Sequence, residues 1–139
     1  MKKAEEKPYQ ILVVDDDGFV RTITAEILEL EGFEVTTMAS GEEALRFCQN
    51  GSVKPDLALV DINMRRGMDG TEFAKRFKSL CQRPVIMLTG VDKHETIIEA
   101  LARYAEDYIT KPFRRGEWVA RVRLALWDQT RQEQAQLGY

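Results

Sequence analysis

Several short apolar runs of this sequence each end on a side chain that can do chemistry. The clearest run, Leu57 to Val60, is too short for a helix and ends on the carboxylate of Asp61. The other runs end in the same manner on Asp15 and Asp16, on Thr89, and on Lys111. Because the carboxyl ends of parallel strands share one edge of a sheet, three carboxylates, a hydroxyl and an amine are expected to meet there.

Carboxylates directly after the first strand indicate a cation at this edge. Asp15 and Asp16 occupy the position where a nucleotide-binding α/β domain has glycines that hold phosphate, so they would repel a phosphate unless a cation lay between. A few hard oxygen ligands, with room for water and substrate oxygens, suit Mg²⁺ (or Mn²⁺). With the ion bound, Asp61 can attack a phosphoryl donor, while Lys111 and Thr89 take the remaining phosphoryl oxygens.

The pattern of the chain predicts strands that alternate with helices. The predicted strands are residues 9–14, 33–38, 57–61, 85–88 and 108–110. Helical spacing predicts a first helix whose inward face is Val20, Ile23, Ile27 and Leu28, and a fourth helix that Asp92 caps. Alternating elements of this length with right-handed crossovers give an α/β fold with a doubly wound parallel sheet.

Length and composition exclude several classes of protein. The 139 residues suit one domain, and a net charge of −3 gives no reason to expect nucleic acid or an anionic membrane as a partner. No apolar stretch approaches the roughly 20 residues of a membrane span. The charged start has no apolar centre and so is not a signal peptide, which favours a cytoplasmic location. We expect a flexible leader at residues 1–8, a domain at 9–128, and a polar extension of the last helix or a tail at 129–139.

Cys48 and Cys81 are the only cysteines, and they lack the CxxC spacing of metal and redox motifs. They are predicted to be packing thiols in a reducing compartment. With so few cysteines and one histidine, a zinc site is not expected.

Five motifs, in this order and at this spacing, resemble the receiver domain of bacterial response regulators over about residues 9–128. They are Val13-Val14-Asp15-Asp16-Asp17, Leu59-Val60-Asp61, Met68-Asp69-Gly70, Leu88-Thr89-Gly90 and Asp107-Tyr108-Ile109-Thr110-Lys111-Pro112-Phe113. The resemblance implies a flavodoxin-like (βα)₅ fold of three layers, with five parallel strands in the order 2-1-3-4-5. It also implies a signalling domain and not an enzyme.

The same resemblance implies a function for each motif residue. Asp61 would accept a phosphoryl group from a phosphohistidine on a sensor histidine kinase or a phosphotransfer protein. Mg²⁺ would be bound directly by Asp16, Asp61 and the backbone carbonyl of Asn63, and through water by Asp15. Thr89 and Tyr108 would form the conformational switch, and Lys111 would point into the site. The output would be a changed surface on the fourth helix, fifth strand and fifth helix, which a homodimer or an effector could bind.

The loop after Asp61 departs from the family pattern. Where the family commonly has Met-Pro-Gly-Met-Asp-Gly, this chain has one residue more, and Arg65-Arg66 replaces the proline. The departure is expected to affect how long a phosphoryl group persists and which kinase binds. The two arginines are interpreted as a solvated loop, with docking of an acidic partner as the alternative.

Three other functions are alternatives to a phosphoryl-accepting receiver domain. A receiver-like docking module that works without phosphorylation would keep the fold and dispense with the chemistry. A phosphatase of the haloacid-dehalogenase type needs a second aspartate two residues after the nucleophile, and Asn63 stands there. A flavin carrier of flavodoxin type would need small or hydroxyl residues where Asp15 and Asp16 follow the first strand.

Overall fold

A computed structural model describes residues 7–51, 54–89, 105–110 and 115–136. Its five strands form one parallel sheet in the order β2-β1-β3-β4-β5, which confirms the predicted topology. In this sheet Val14 of β1 pairs with Met38 of β2 and with Val60 of β3, so the strand ends are aligned. The strands are β1 (Gln10–Val14), β2 (Glu34–Met38), β3 (Leu57–Asp61), β4 (Val85–Thr89) and β5 (Asp107–Thr110).

Helices lie on both faces of the sheet. They are α1 (Gly18–Leu30), α2 (Gly41–Asn50), α3 (Gly70–Cys81) and the C-terminal helix (Arg115–Gln136). The first three begin at N-cap side chains that accept backbone N–H groups of the first turn: Asp17, Ser40 and Asp69. These caps place the helix starts at the carboxyl edge of the sheet. The predicted fourth helix, with Asp92, falls outside the described residues.

The sheet separates two hydrophobic cores, because alternate residues of each strand point to opposite faces. The first core lies against α2 and α3, and Leu12, Val14, Ala58, Val60 and Met87 contribute to it from the strands. The second core lies against α1 and the C-terminal helix, and Ile11, Val13, Leu59, Ile86 and Leu88 contribute to it. Strands β1 and β3 are buried on both faces, which explains their unbroken apolar sequences.

The inward face of α1 differs from the prediction at one position. Leu28 is buried as expected, but Ile23 is 36% exposed and Thr24 is the buried neighbour. A helical stripe of apolar residues fixes the buried face only to within one position, since adjacent residues lie about 100° apart on the helix. The prediction was therefore wrong for Ile23.

The C-terminal helix packs on the second core through its first half. Trp118, Val122 and Leu126 are buried there. Arg121 ties this helix to β5, because its Nη1 donates to Asp107 Oδ1 at 3.0 Å and to the Tyr108 carbonyl at 2.9 Å. Trp127 is 56% exposed. No helix in the described part of the chain combines the length and apolarity that crossing a bilayer requires.

Candidate phosphoryl-acceptor site

Three consecutive aspartates in the turn between β1 and α1 do three different things. Asp15 is completely buried, and its Oδ1 accepts the Asp17 N–H at 2.9 Å. Asp17 caps α1, accepting the N–H groups of Phe19 at 2.9 Å and Val20 at 3.3 Å. Asp16 is exposed, and its Oδ2 accepts the Arg65 N–H from the loop after β3. The run of identical residues therefore supplies one buried carboxylate, one exposed carboxylate and one helix cap.

Asp15 is fixed at both ends of its backbone as well as at its side chain. Its N–H donates to the Met38 carbonyl at 3.2 Å, which continues the pairing of β1 with β2 by one residue. Its own carbonyl accepts Arg21 Nη1 at 2.7 Å. The position of this buried carboxylate is thus set by the edge of the sheet and by the first turn of α1.

Asp61 ends β3 and is 5% exposed. Its Oδ1 accepts the Asn63 N–H at 3.2 Å, which is the local turn that aspartate makes with its own backbone two residues on. The Ile62 N–H donates to the Leu88 carbonyl at 2.9 Å and so continues the pairing of β3 with β4 past Asp61. Its carboxylate is therefore held at a rigid strand end and not on a free loop.

The carboxylates of Asp15, Asp16 and Asp61 converge. One oxygen of each lies within 4.8 Å of the others, so the structure brings together the three acids that the sequence selected. This donor set fits a divalent cation: three hard oxygen donors converge, two from buried residues and one from an exposed residue that leaves the site open to water and substrate. Mg²⁺ has the strongest preference for such all-oxygen ligands with waters retained.

The loop between β3 and α3 is bound to the rest of the molecule by two carboxylates. Asp16 Oδ2 accepts the Arg65 N–H at 2.9 Å, and Glu42 Oε2, in the first turn of α2, accepts the Met68 N–H at 2.9 Å. Gly67 lies between these contacts with φ +70°, a conformation that L side chains rarely adopt. The side chains of Arg65 and Arg66 are exposed, as expected of a solvated loop.

Glu42 is a residue whose importance to the site was missed in the sequence. Its only local signal is that it lies in the first turn of a helix, where acids are common. The extra residue in the loop after Asp61 marks the loop as unusual, but it does not indicate a contact with Glu42.

Gly70 permits the close approach of α3 to the end of β3. A Cβ atom on this residue would lie 2.3 Å from the Asp61 carbonyl oxygen and 2.7 Å from Ile62 Cα. The Gly70 N–H donates to the Ile62 carbonyl at 3.3 Å. Any side chain at residue 70 would therefore push against the backbone of the candidate acceptor itself.

The remaining predicted site residues are described to different extents. Asn63 is exposed and adjoins the carboxylates through its N–H bond to Asp61. Tyr108 is half-buried in β5 and packs against the first core, on the α3 side of the sheet. Thr89 ends β4 beside β5, although its side chain lies outside the described part. Lys111 also lies outside the described residues.

A family model and curated relatives both identify response regulators as the proteins that this chain resembles. The family model of the response regulator receiver domain matches residues 11–123. The chain is 37% identical over 116 residues to the transcriptional regulatory protein CseB of Streptomyces coelicolor, a match that covers 84% of this chain and 48% of that protein. It is 39% identical over 117 residues to the heme response regulator HssR of Staphylococcus aureus, with 84% and 51% covered. The chain thus spans about half the length of the curated relatives it matches.

Solved structures agree with this result. A CheY-like response regulator receiver domain from Methanospirillum hungatei superposes with a TM-score of 0.83 and 32% identity, covering 91% of this chain and 99% of that one. A receiver domain from Clostridium thermocellum gives a TM-score of 0.81 at 26% identity, with 88% and 97% covered. Both matches span nearly the whole of each solved domain.

Proposed function

The chain belongs to the response regulator receiver domain family, and from this premise we propose that it accepts a phosphoryl group on Asp61 from a histidine kinase or phosphotransfer protein, in a magnesium-dependent reaction. The observation that carries the proposal is the meeting of the Asp15, Asp16 and Asp61 carboxylates within 4.8 Å at the carboxyl edge of the sheet. Structural carboxylates are usually dispersed or paired with cations, whereas a phosphoryl-transfer site needs this concentration of hard donors.

Asp61 is the nucleophile in this proposal. One of its carboxylate oxygens forms a bond to the phosphorus of a phosphohistidine while the phosphorus–nitrogen bond breaks, and the electron pair of that bond returns to the imidazole. The Asn63 N–H donates to Oδ1 of Asp61 and orients the carboxylate. The backbone of Asp61 is held in place because the residue belongs to β3. Positioning of this kind is the main contribution a protein makes to phosphoryl transfer.

Asp16, Asp61 and the Asn63 backbone carbonyl would hold Mg²⁺, with Asp15 acting through water. The ion would supply the positive charge that lets an anionic phosphoryl group approach three carboxylates. Lys111 and the Thr89 hydroxyl are proposed to bind phosphoryl oxygens on the side of β4 and β5. Tyr108 is proposed to follow Thr89 when the phosphoryl group arrives, since Thr89 and Tyr108 lie on adjacent strands.

The proposed output surface includes β5 and the C-terminal helix. Arg121 links these two elements through its hydrogen bonds to Asp107 and to the Tyr108 carbonyl. A movement of Tyr108 would therefore shift Arg121 and change the surface of the C-terminal helix. A second copy of the chain or an effector would bind there. Couplings of about 1–3 kcal/mol are typical of such switches.

The test is intact-mass spectrometry after incubation with acetyl phosphate and Mg²⁺. We expect one phosphoryl increment that EDTA prevents and that is absent in Asp61→Asn. Asp128→Asn is the matched control, because Asp128 is an exposed carboxylate on the C-terminal helix, and it should keep the increment. An increment that persists in Asp61→Asn would overturn the proposed acceptor. No increment at any time, with folding intact, would favour the docking module that works without phosphorylation.

A further inference from the structure

The three carboxylates of the acidic site are held by different parts of the chain. Asp15 and Asp61 each accept a backbone N–H from the residue two positions further along, at 2.9 and 3.2 Å. Asp16 is exposed and accepts the N–H of Arg65, 49 positions away, at 2.9 Å. The orientation of the Asp16 carboxylate therefore depends on where the β3–α3 loop, residues 62–69, places its backbone.

The β3–α3 loop is fixed to the core near its two ends and exposed between them. Met64 is buried in the first core, and Met68 packs against that core. Residues 65–67 are exposed and bury no side chain that could hold them. Their path therefore depends on hydrogen bonds, and two carboxylates accept such bonds from this part of the loop: Asp16 from Arg65, and Glu42 from Met68 at 2.9 Å.

Glu42 lies directly against the turn between these two hydrogen bonds. A Cβ atom on Gly67 would lie 2.6 Å from Glu42 Oε2 and 2.9 Å from Oε1, so no space separates the carboxylate from the loop. The same Oε2 accepts the Met68 N–H. Glu42 itself belongs to the first turn of α2, which Ser40 caps. The start of α2 thus supplies a fixed support for the exposed part of the loop.

We propose that Glu42 is a positioning residue for the cation site. By anchoring the β3–α3 loop through Met68, it holds the Arg65 N–H where that group orients the Asp16 carboxylate. A carboxylate can accept this N–H through one oxygen and bind a cation through the other. Because the side chain is already oriented, less rotational freedom is lost when the cation binds. This role rests on the proposed magnesium-dependent function, since it requires that Asp16 binds the ion.

The contact between the loop and Asp16 depends on a departure of this chain from the family pattern. The family commonly has a proline directly after the methionine that corresponds to Met64, and a proline has no N–H to donate. Arg65 supplies an N–H at this position, and Asp16 accepts it. The lengthened loop therefore makes a hydrogen bond to the cation site that a proline there could not make.

The first experiment measures Mn²⁺ binding to the full chain by electron paramagnetic resonance of the free ion. Glu42→Ala should raise the Kd about tenfold, at the low end of what loss of a partner behind a metal ligand costs. Glu42→Gln keeps an oxygen that can accept the Met68 N–H, so its Kd should stay close to that of the wild type. Glu43→Ala removes an exposed carboxylate from the same helical turn and should also leave the Kd nearly unchanged.

Two results would overturn this role for Glu42 and leave the proposed phosphorylation standing. One is an equal Kd in Glu42→Ala and the wild type. The other is a Kd that rises as much in Glu42→Gln as in Glu42→Ala, because the charge of Glu42 and not its contact with Met68 would then be responsible. A wild type that binds no Mn²⁺ would overturn the cation site itself and this role with it.

The second experiment tests the step from the loop to Asp16 and needs no change at Glu42. Arg65→Pro and Arg65→Ala both lose the guanidinium group, but only the proline variant loses the N–H that Asp16 accepts. Arg65→Pro should therefore bind Mn²⁺ about tenfold more weakly than Arg65→Ala, with circular dichroism showing that both are folded. Equal affinities in the two folded variants would refute the positioning of Asp16 by the loop.

Discussion

Replacing Gly70 with alanine tests directly how the candidate acceptor is positioned. The added Cβ would lie 2.3 Å from the Asp61 carbonyl oxygen, about 1 Å short of the 3.4 Å at which ordinary contact begins. The atoms it meets belong to the backbone of Asp61 and Ile62 and not to a flexible side chain. Relief therefore requires α3 to move away from the end of β3.

The expected cost can be assembled from three contributions. Overpacking against a rigid neighbour costs about 1–3 kcal/mol. The hydrogen bond from the Gly70 N–H to the Ile62 carbonyl, already 3.3 Å long, would be lost at about 1 kcal/mol. Alanine favours the helix over glycine by up to about 1 kcal/mol, which offsets part of this. The net loss in free energy of unfolding should be about 2 kcal/mol.

Urea unfolding followed by circular dichroism measures this loss. With an m-value of roughly 2 kcal/mol/M, the midpoint of Gly70→Ala should fall by about 1 M. Gly116→Ala is the matched control, because a Cβ there meets nothing within 4 Å and should leave the midpoint unchanged or slightly raised. If Gly70→Ala unfolds at the wild-type midpoint, the close approach of α3 to Asp61 is not a constraint and the reasoning fails.

Three further predictions rest on separate features. Thr24→Val should raise the free energy of unfolding by about 0.5–1 kcal/mol in urea titrations, because the buried Thr24 hydroxyl has no hydrogen-bond partner among the described residues. A loss of stability would mean that the hydroxyl does have a hydrogen-bond partner. Saturating Mg²⁺, at a hundred times its dissociation constant, should stabilise the fold by about 2.7 kcal/mol in thermal unfolding. Asp16→Asn should need more Mg²⁺ for the same stabilisation. If stability rises with Mg²⁺ concentration equally in the variant and the wild type, Asp16 is not a ligand. Glu42→Ala should speed hydrogen exchange at the Met68 amide, because the Met68 N–H loses its acceptor. Glu43→Ala, which removes an exposed carboxylate from the same helical turn, should leave that exchange unchanged. Equal exchange in both variants would mean that Glu42 does not anchor the loop.

The fold was largely predictable because its strands are local and unambiguous. The apolar residues of β3 end on Asp61 in the structure as they do in the sequence, since a strand buried on both faces leaves no room for a polar residue before its end. Ser40 caps α2, and residues 40–43 have the Ser-x-x-Glu pattern that is typical of such a helix start. The error at Ile23 arose because periodicity measures where apolar residues cluster, whereas burial depends on how the helix is rotated against the sheet.

The meeting of the three carboxylates was predictable from the sequence, and the contacts that hold them in place were not. That Asp15, Asp16 and Asp61 would meet followed from parallel strands sharing an edge. That Asp16 would accept the Arg65 N–H, and that Glu42 would accept the Met68 N–H, depends on the path of the loop after β3 and on where α2 lies beside it. Contacts of this kind join residues far apart in sequence, and no local pattern encodes them.

The division of the interior by the sheet has a consequence for how mutations combine. Phe77 belongs to the core under α3 and Leu28 to the core under α1, and the full thickness of the sheet separates them. Free-energy changes at such separated sites usually add to within about 0.5 kcal/mol, whereas changes within one core interact. Substitutions in one core that adapt its side of the molecule to a new binding partner should therefore leave the packing energy of the other core unchanged.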